Sequence, residues 1–196
     1  MDGSGITTKK NKLRRAMSER LRLTTDAQRA GWSQKILGWL IHDDSWANVG
    51  GVVALFGGMK TEPNILSVFS WLRERGVQAA FFAIEGEAMI AYHVRGEEDL
   101  ITGKFGVLEP KRRHGARLEP TDLSSLLVPG LAFGKNDGTR LGRGKGHYDR
   151  LLGAVAPGVR TVGVGFDLQL VPDVPTEDHD VRLRALVCES GWVEVD

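Results

Sequence analysis

Between Arg140 and Asp149 the chain reads R-L-G-R-G-K-G-H-Y-D, with glycines at 142, 144 and 146 set among Arg140, Arg143 and Lys145. Such a stretch is suited to holding phosphate. Glycine adopts positive φ at no steric cost, so backbone N–H groups can turn toward one concave point while the flanking cations supply fixed charge. Leu126-Leu127-Val128 upstream reads as a buried strand, and Tyr148 to Leu152 downstream as the opening of a helix. Strand, glycine loop and helix form the usual setting for anion binding by backbone amides. The spacing matches neither common nucleotide fingerprint. A Walker A loop needs glycine where Thr139 stands and Ser or Thr where Gly146 stands, and a dinucleotide loop begun at Gly142 needs glycine at His147. On spacing alone a glycine-rich surface loop remains an alternative, against which the three cations weigh.

The elements that must position this loop are readable from periodicity. Leu13, Met17 and Leu21 recur four apart among lysines and arginines, as in an amphipathic helix, and Thr25-Asp26-Ala27-Gln28 has the form of a capping box opening a second helix. The two predict a basic helical segment over about residues 9–42. Val52 to Phe56 is then a buried strand. Pro63 stands where a first helical turn tolerates it, Ile65, Leu66, Phe69 and Leu72 form an apolar stripe, and Gly76 supplies the stop. Strands follow over Val77–Ala83 and Met89–Tyr92, then around Leu126, at Thr161–Val164 and at Leu186–Cys188. This alternation predicts an α/β fold, a single three-layer domain with a largely parallel central sheet and helices on both faces.

Composition narrows the function classes. With 196 residues, 41% of them hydrophobic, the chain can bury a real core. A net charge of +1 argues against bulk nucleic-acid binding. Cys188 is the single cysteine, so no intrachain disulfide forms. No apolar run approaches the roughly 20 residues of a membrane span, and the polar start Met1-Asp2-Gly3-Ser4-Gly5 is unlike a secretory signal, so a cytoplasmic location is expected. His42, His93, His114 and His179 have no zinc spacing with Cys188, and Ser124 and Ser125 lack a nucleophile-elbow pattern. The polar stretch from Lys111 to Thr121, with Arg112, Arg113 and His114, reads as a solvated loop or as a dock for an acidic ligand tail.

Five ordered segments resemble the 5-formyltetrahydrofolate cyclo-ligase (5,10-methenyltetrahydrofolate synthetase) family. Val128-Pro129-Gly130-Leu131-Ala132-Phe133 followed by R-L-G-R-G-K-G-H-Y-D-R resembles its signature, and Lys10-Asn11-Lys12-Leu13-Arg14 its K-x-x-L-R element. Met59-Lys60-Thr61-Glu62 resembles the segment with its substrate-facing glutamate, Gly103-Lys104-Phe105-Gly106-Val107-Leu108-Glu109-Pro110 its F-G-I-x-E-P run, and Glu177-Asp178-His179-Asp180 its E-x-H-D. The resemblance implies a topology similar to the sugar-phosphate isomerase and coenzyme A transferase group. It also implies ATP- and Mg²⁺-dependent closure of the N5-formyl group of 5-formyltetrahydrofolate onto N10, through a formyl phosphorylated as an iminium phosphate.

Residue roles follow from that resemblance. ATP falls to Lys10, Asn11, Lys12, Leu13 and Arg14 on the first helix and to Arg140, Leu141, Gly142, Arg143, Gly144, Lys145, Gly146, His147 and Tyr148 in the loop. Folate, with one or several glutamyl units, falls to Gly57, Glu62, Arg143, Gly144, Lys145, Gly146 and His147. Lys145 and Arg143 are the expected catalytic cations, since phosphoryl transfer is driven by alignment and charge neutralisation. Asp149 and Asp180 are the expected Mg²⁺ carboxylates; outside the resemblance each reads as a helix cap or turn residue. Glu62 has the oxygens to accept paired hydrogen bonds from a pterin amino group and ring N–H, or is a first-turn acid favoured by the helix dipole. His147 stands where many relatives carry tyrosine, and Gly57 replaces a larger apolar residue, which is expected to loosen the wall of the folate pocket. Tyr148 either stacks on a ring or packs. Other readings are an ATP-dependent ligase or kinase of another small carbonyl compound and a non-catalytic folate-binding protein, in either case as a monomer or homodimer.

Overall fold

The computed structural model describes residues 3–47, 51–111, 115–177 and 180–195; Arg112, Arg113, His114 and His179 lie outside the described residues. Two helices come first, α1 (Gly3–Arg22) and α2 (Asp26–His42). The capping box at Thr25 forms as expected: Gln28 N donates to Thr25 Oγ1 at 3.2 Å, and Thr25 N donates to Gln28 Oε1 at 2.8 Å. Then come β1 (Val52–Leu55), α3 (Leu66–Glu74), β2 (Gln78–Glu85), β3 (Ala88–Val94), the ribbon of β4 (Leu100–Thr102) and β5 (Leu108–Pro110), and β6 (Arg117–Leu118). The second half carries β7 (Leu123–Pro129), β8 (Ala132–Gly134), β9 (Arg140–Leu141), α4 (His147–Ala154), β10 (Arg160–Val164), β11 (Leu170–Val171), β12 (Ala185–Cys188) and β13 (Gly191–Val193). Pro63 falls short of the helix it was expected to open. Asn64 Oδ1 accepts from Leu66 N at 3.1 Å, so α3 begins at Leu66 and leaves Glu62 and Pro63 in a turn.

The main sheet has eight strands in the order β13-β12-β10-β7-β1-β2-β3-β6. Its five central strands, β12, β10, β7, β1 and β2, run parallel. They are mostly apolar because both faces are covered, with Ser124 and Ser125 in β7 and Thr161 in β10 among the exceptions. In β1, Val53 and Leu55 join one cluster with α1, α2 and α3, through Met17, Leu21, Ile36, Leu40, Phe69 and Leu72. Val52 and Ala54 join the other with Leu151 and Leu152 of α4. Helices therefore lie on both faces of a mixed, mostly parallel sheet. Met17 and Leu21 are 1% exposed, and burying each contributes about 1.5–3 kcal/mol, which fixes the basic helix α1 against the molecule.

From β1 the chain steps to β2 on one side; from β7 it steps through β10 to β12 on the other. The reversal opens a crevice past the carboxyl ends of β1 and β7, where open α/β sheets bind ligands. The turn holding Glu62 leaves β1, and the glycine loop descends from β7, so the two segments flank that crevice.

Candidate active site

The glycine loop is anchored at its base by buried polar groups. Leu131 N donates to Leu141 O at 2.7 Å. Gln169, fully buried, donates through Nε2 to Gly130 O at 2.7 Å, and its Oε1 accepts from Phe166 N at 2.8 Å, tying the end of β10 to the turn after β7. Gly144 and Gly146 have φ of +97° and +66°, the left-handed region that favours glycine. Gly142 does not share it. A Cβ there would lie 2.8 Å from Nη1 of Arg140, so this glycine makes room for a guanidinium instead.

Arg140, expected among the phosphate cations, lies beneath the loop with its side chain 3% exposed. Nη2 donates to Asp149 Oδ1 at 2.6 Å, Nη1 to Pro129 O at 3.3 Å, and the guanidinium sits 5.3 Å from the Tyr148 ring centre. Its Nε is buried without a hydrogen-bond partner among the described residues. In this arrangement Arg140 braces the loop from inside. Leu141 beside it is also a core residue. Tyr148 packs edge-on against Phe82 at 6.0 Å, and burial, then the Glu62 charge, raise its phenol pKa, with Arg140 opposing. His147 Nδ1 lies 3.0 Å from Glu87 O, and Arg150 Nη2 donates to Glu87 O at 2.9 Å and to Lys145 O at 3.1 Å. The loop is thereby tied to the β2–β3 turn.

Arg143 and Lys145 remain exposed. Arg143 Nη2 donates to Glu62 Oε1 at 3.1 Å and to Thr61 Oγ1 at 3.3 Å, so a loop cation and the β1 turn meet across the crevice. Glu62 is well buried, and its Oε2 accepts from Met59 N at 2.9 Å, which holds the carboxylate at the crevice rather than on a helix dipole.

Helix α1 lies over the loop. Arg14 Nε donates to Gly142 O at 3.0 Å, and Asn11 Oδ1 accepts from Arg14 Nη1 at 2.7 Å. Lys10, 6% exposed, donates to Glu177 Oε2 and Asp180 Oδ2, both at 2.6 Å. Burial pulls its pKa down, but the bonds and charges of Asp180 and Glu177 outweigh burial and hold the ammonium above its ordinary range. Leu13 packs on the core and Lys12 is exposed, while Arg14 reaches the loop at Gly142 O and Lys10 reaches Glu177 and Asp180.

Both proposed metal carboxylates are already charge-paired, Asp149 with Arg140 and Asp180 with Lys10. Among the described residues no group of three or more His, Cys, Asp or Glu is arranged to hold a metal by itself. Mg²⁺ needs only one or two carboxylates when phosphate oxygens and waters complete its shell, and Asp149 is engaged through Oδ1 alone among the described residues, so the hard-oxygen donors fit a shared ion.

Two clefts adjoin the Arg143–Glu62 pair. One, of about 370 Å³, is lined by Gly57, Met59, Glu62 and Leu108 and by Arg29 and Ser33 of α2. The α2 residues were not singled out from sequence, because a polar helix face gives no signal that a cleft lies over it. Gly57 does the reverse of loosening this wall. A Cβ at 57 would stand 2.0 Å from Leu108 O, and Leu108 N donates to Gly57 O at 3.2 Å, so glycine lets the 103–110 segment close on β1. The other cleft, of about 520 Å³, is lined by Arg14, Arg15, Ser18 and Arg22 of α1 with Leu131 and Arg143.

Sheet, switch-point crevice and cationic glycine loop define an α/β protein whose loop faces a carboxylate-lined cleft. Residues 6–189 match the 5-formyltetrahydrofolate cyclo-ligase family, and the chain belongs to that family, one of cyclo-ligase enzymes. It is 28% identical over 180 residues to a 5-formyltetrahydrofolate cyclo-ligase of Mycolicibacterium smegmatis, covering 89% of this chain and 90% of that one. The 5,10-methenyltetrahydrofolate synthetase of Aquifex aeolicus superposes with a TM-score of 0.79 at 29% identity, over 94% of this chain and 92% of the other. A synthetase from Mycoplasma pneumoniae shares the fold at a TM-score of 0.76 and 21% identity, over 92% and 98%.

Proposed function

We propose that the protein converts 5-formyltetrahydrofolate to 5,10-methenyltetrahydrofolate with cleavage of ATP to ADP and phosphate. The observation that carries this reading is the Arg143–Glu62 pair across the switch-point crevice, which sets the loop cation beside a buried carboxylate. Glu62 offers its oxygens to the pterin amino group and adjacent ring N–H. That exchange frees Arg143 to turn toward the formyl oxygen, where charge develops. Arg143, Lys145 and the amides of Gly144 and Gly146 hold the γ-phosphoryl group as the formyl oxygen attacks phosphorus and ADP departs. N10 then attacks the formyl carbon of the iminium phosphate, inorganic phosphate leaves with the former formyl oxygen, and N10 loses its proton. Asp149 and Asp180 would hold Mg²⁺, which supplies charge neutralisation on the phosphate oxygens. Lys10 and Arg14 close the far side of the loop.

Initial rates of Glu62→Gln against wild type test the assignment. The variant keeps the side-chain volume but loses the charge, and the KM for 5-formyltetrahydrofolate should rise at least tenfold, about 1.4 kcal/mol, with a smaller change for ATP. An unchanged folate KM would remove Glu62 from folate recognition.

A further inference from the structure

Among the buried polar residues, Lys10, Arg140 and Gln169 brace the glycine loop and the 177–180 segment, whereas Ser33, 4% exposed on α2, reaches the Glu62 side of the crevice. Its hydroxyl donates to Arg29 O at 2.7 Å, one turn back along the helix, which leaves a lone pair to accept from Asn64 N at 3.0 Å. Asn64 stands two residues after Glu62, and Pro63 between them has φ fixed at about −65°, so the link from Asn64 to Glu62 is short and stiff. At its other end the turn closes on itself: Glu62 N donates to Met59 O and Met59 N to Glu62 Oε2, both at 2.9 Å. Gly58, just before Met59, has a φ of +64°. Residues 59–62 are therefore a compact unit joined to β1 through a glycine and to α2 through one hydroxyl.

We infer that Ser33 is a positioning residue for Glu62: its hydroxyl locks the turn to α2 and so sets the plane in which the carboxylate meets the substrate. The inference rests on the function proposed above, in which Glu62 takes the pterin. Paired hydrogen bonds to a carboxylate demand a fixed orientation. Arg143 supplies one restraint on Glu62, but that contact is given up to the substrate, and Met59 N belongs to the same unit and moves with it. Ser33 is the anchor outside the unit. It is carried by a helix seated in the core through Ile36, Leu37 and Leu40, and it lines the same cleft as Glu62 and Asn64. The same bond accounts for the late start of α3. With Asn64 N donated to Ser33 and Asn64 Oδ1 accepting from Leu66 N, the backbone at 64 is held outside the helix and Glu62 stays in the turn. Alanine at 33 leaves this backbone donor to water and the unit free to pivot at Gly58.

The test is a titration of full-length wild type, Ser33→Ala, Glu62→Gln and the double variant with 5-formyltetrahydrofolate in the absence of ATP. Alanine is a stronger helix former than serine, and a thermal melt verifies that α2 is kept. Ser33→Ala should weaken folate binding by about three- to tenfold, the worth of one neutral hydrogen bond. In the Glu62→Gln background the same change should cost less than about twofold, because its effect passes through the carboxylate. A merely structural serine would give equal losses in both backgrounds, and that result overturns the inference, as does folate binding unchanged in Ser33→Ala. Should the alanine variant not fold, hydrogen exchange of wild type decides: the Asn64 amide should be protected at least about tenfold more than that of exposed Lys60, and equal exchange overturns the inference. Wild type that binds no 5-formyltetrahydrofolate would refute the proposed function and the inference with it, whereas wild type and Ser33→Ala that bind it equally well refute the inference alone.

Discussion

Replacing Asp149 by asparagine isolates the internal brace of the glycine loop. Asp149 Oδ1 accepts from Arg140 Nη2 at 2.6 Å, and the two side chains are 23% and 3% exposed. The amide can still accept that hydrogen bond, but it removes the carboxylate that pairs with the buried guanidinium, whose Nε already lacks a hydrogen-bond partner among the described residues. Breaking a buried pair from one side costs 3–5 kcal/mol, and the partial exposure of Asp149 places this case near ~3 kcal/mol. For a chain of this size that lowers Tm by about 6–12 °C. Arg140→Met removes the charge that needs compensation and leaves a carboxylate that water can reach, so we expect a smaller loss of about 1–2 kcal/mol. The diagnostic is the double variant: adding Arg140→Met to Asp149→Asn should recover stability relative to Asp149→Asn alone. Urea unfolding at neutral pH measures all three. If the double variant is less stable than Asp149→Asn, Arg140 is held by packing rather than by charge and the brace argument is wrong.

Other predictions concern single groups. Lys145→Met should lower kcat by about 10²–10³ while leaving Tm within a degree or two, because the side chain is exposed; surviving activity would remove Lys145 from the catalytic role. Gly57→Ala must push Leu108 O away from a 2.0 Å contact, so a loss of about 1–3 kcal/mol in urea unfolding is expected, with weaker folate binding. The native state raises the Lys10 pKa above its ordinary 10.5. Its contribution to stability is therefore complete below that value and lost as pH climbs through the higher native one. The Tm advantage of wild type over Lys10→Met should hold at pH 9 and shrink toward pH 12. Cys188, whose thiol is pushed up to about 12 by burial and then by Asp167, should resist iodoacetamide at neutral pH until the protein is unfolded.

Local rules made much of the fold legible. Apolar runs announced the parallel strands, four-residue spacing announced α1, and Thr25 with Gln28 announced the start of α2. The start of α3 was misplaced because proline at a first turn and asparagine as a competing cap suggest different boundaries, and Asn64 prevailed. For the site, spacing located the glycine loop and the Lys10–Arg14 pair, but a cation in a sequence has no inward or outward sign. Arg140 could be told from Arg143 only when Asp149 and Tyr148 were seen to enclose one and Glu62 to meet the other. The role of Gly57 depends on Leu108, a partner remote in sequence, and that of Glu87 on a backbone carbonyl, which residue type does not encode.

The central claim, that the loop and Glu62 together close a formyl group at the expense of ATP, is tested most directly by the near-ultraviolet absorbance of 5,10-methenyltetrahydrofolate. Purified protein is mixed with 5-formyltetrahydrofolate, with ATP or Mg²⁺ omitted in parallel. The account predicts product only when both are present. Product formed without ATP, or none from folded protein supplied with both, would contradict it.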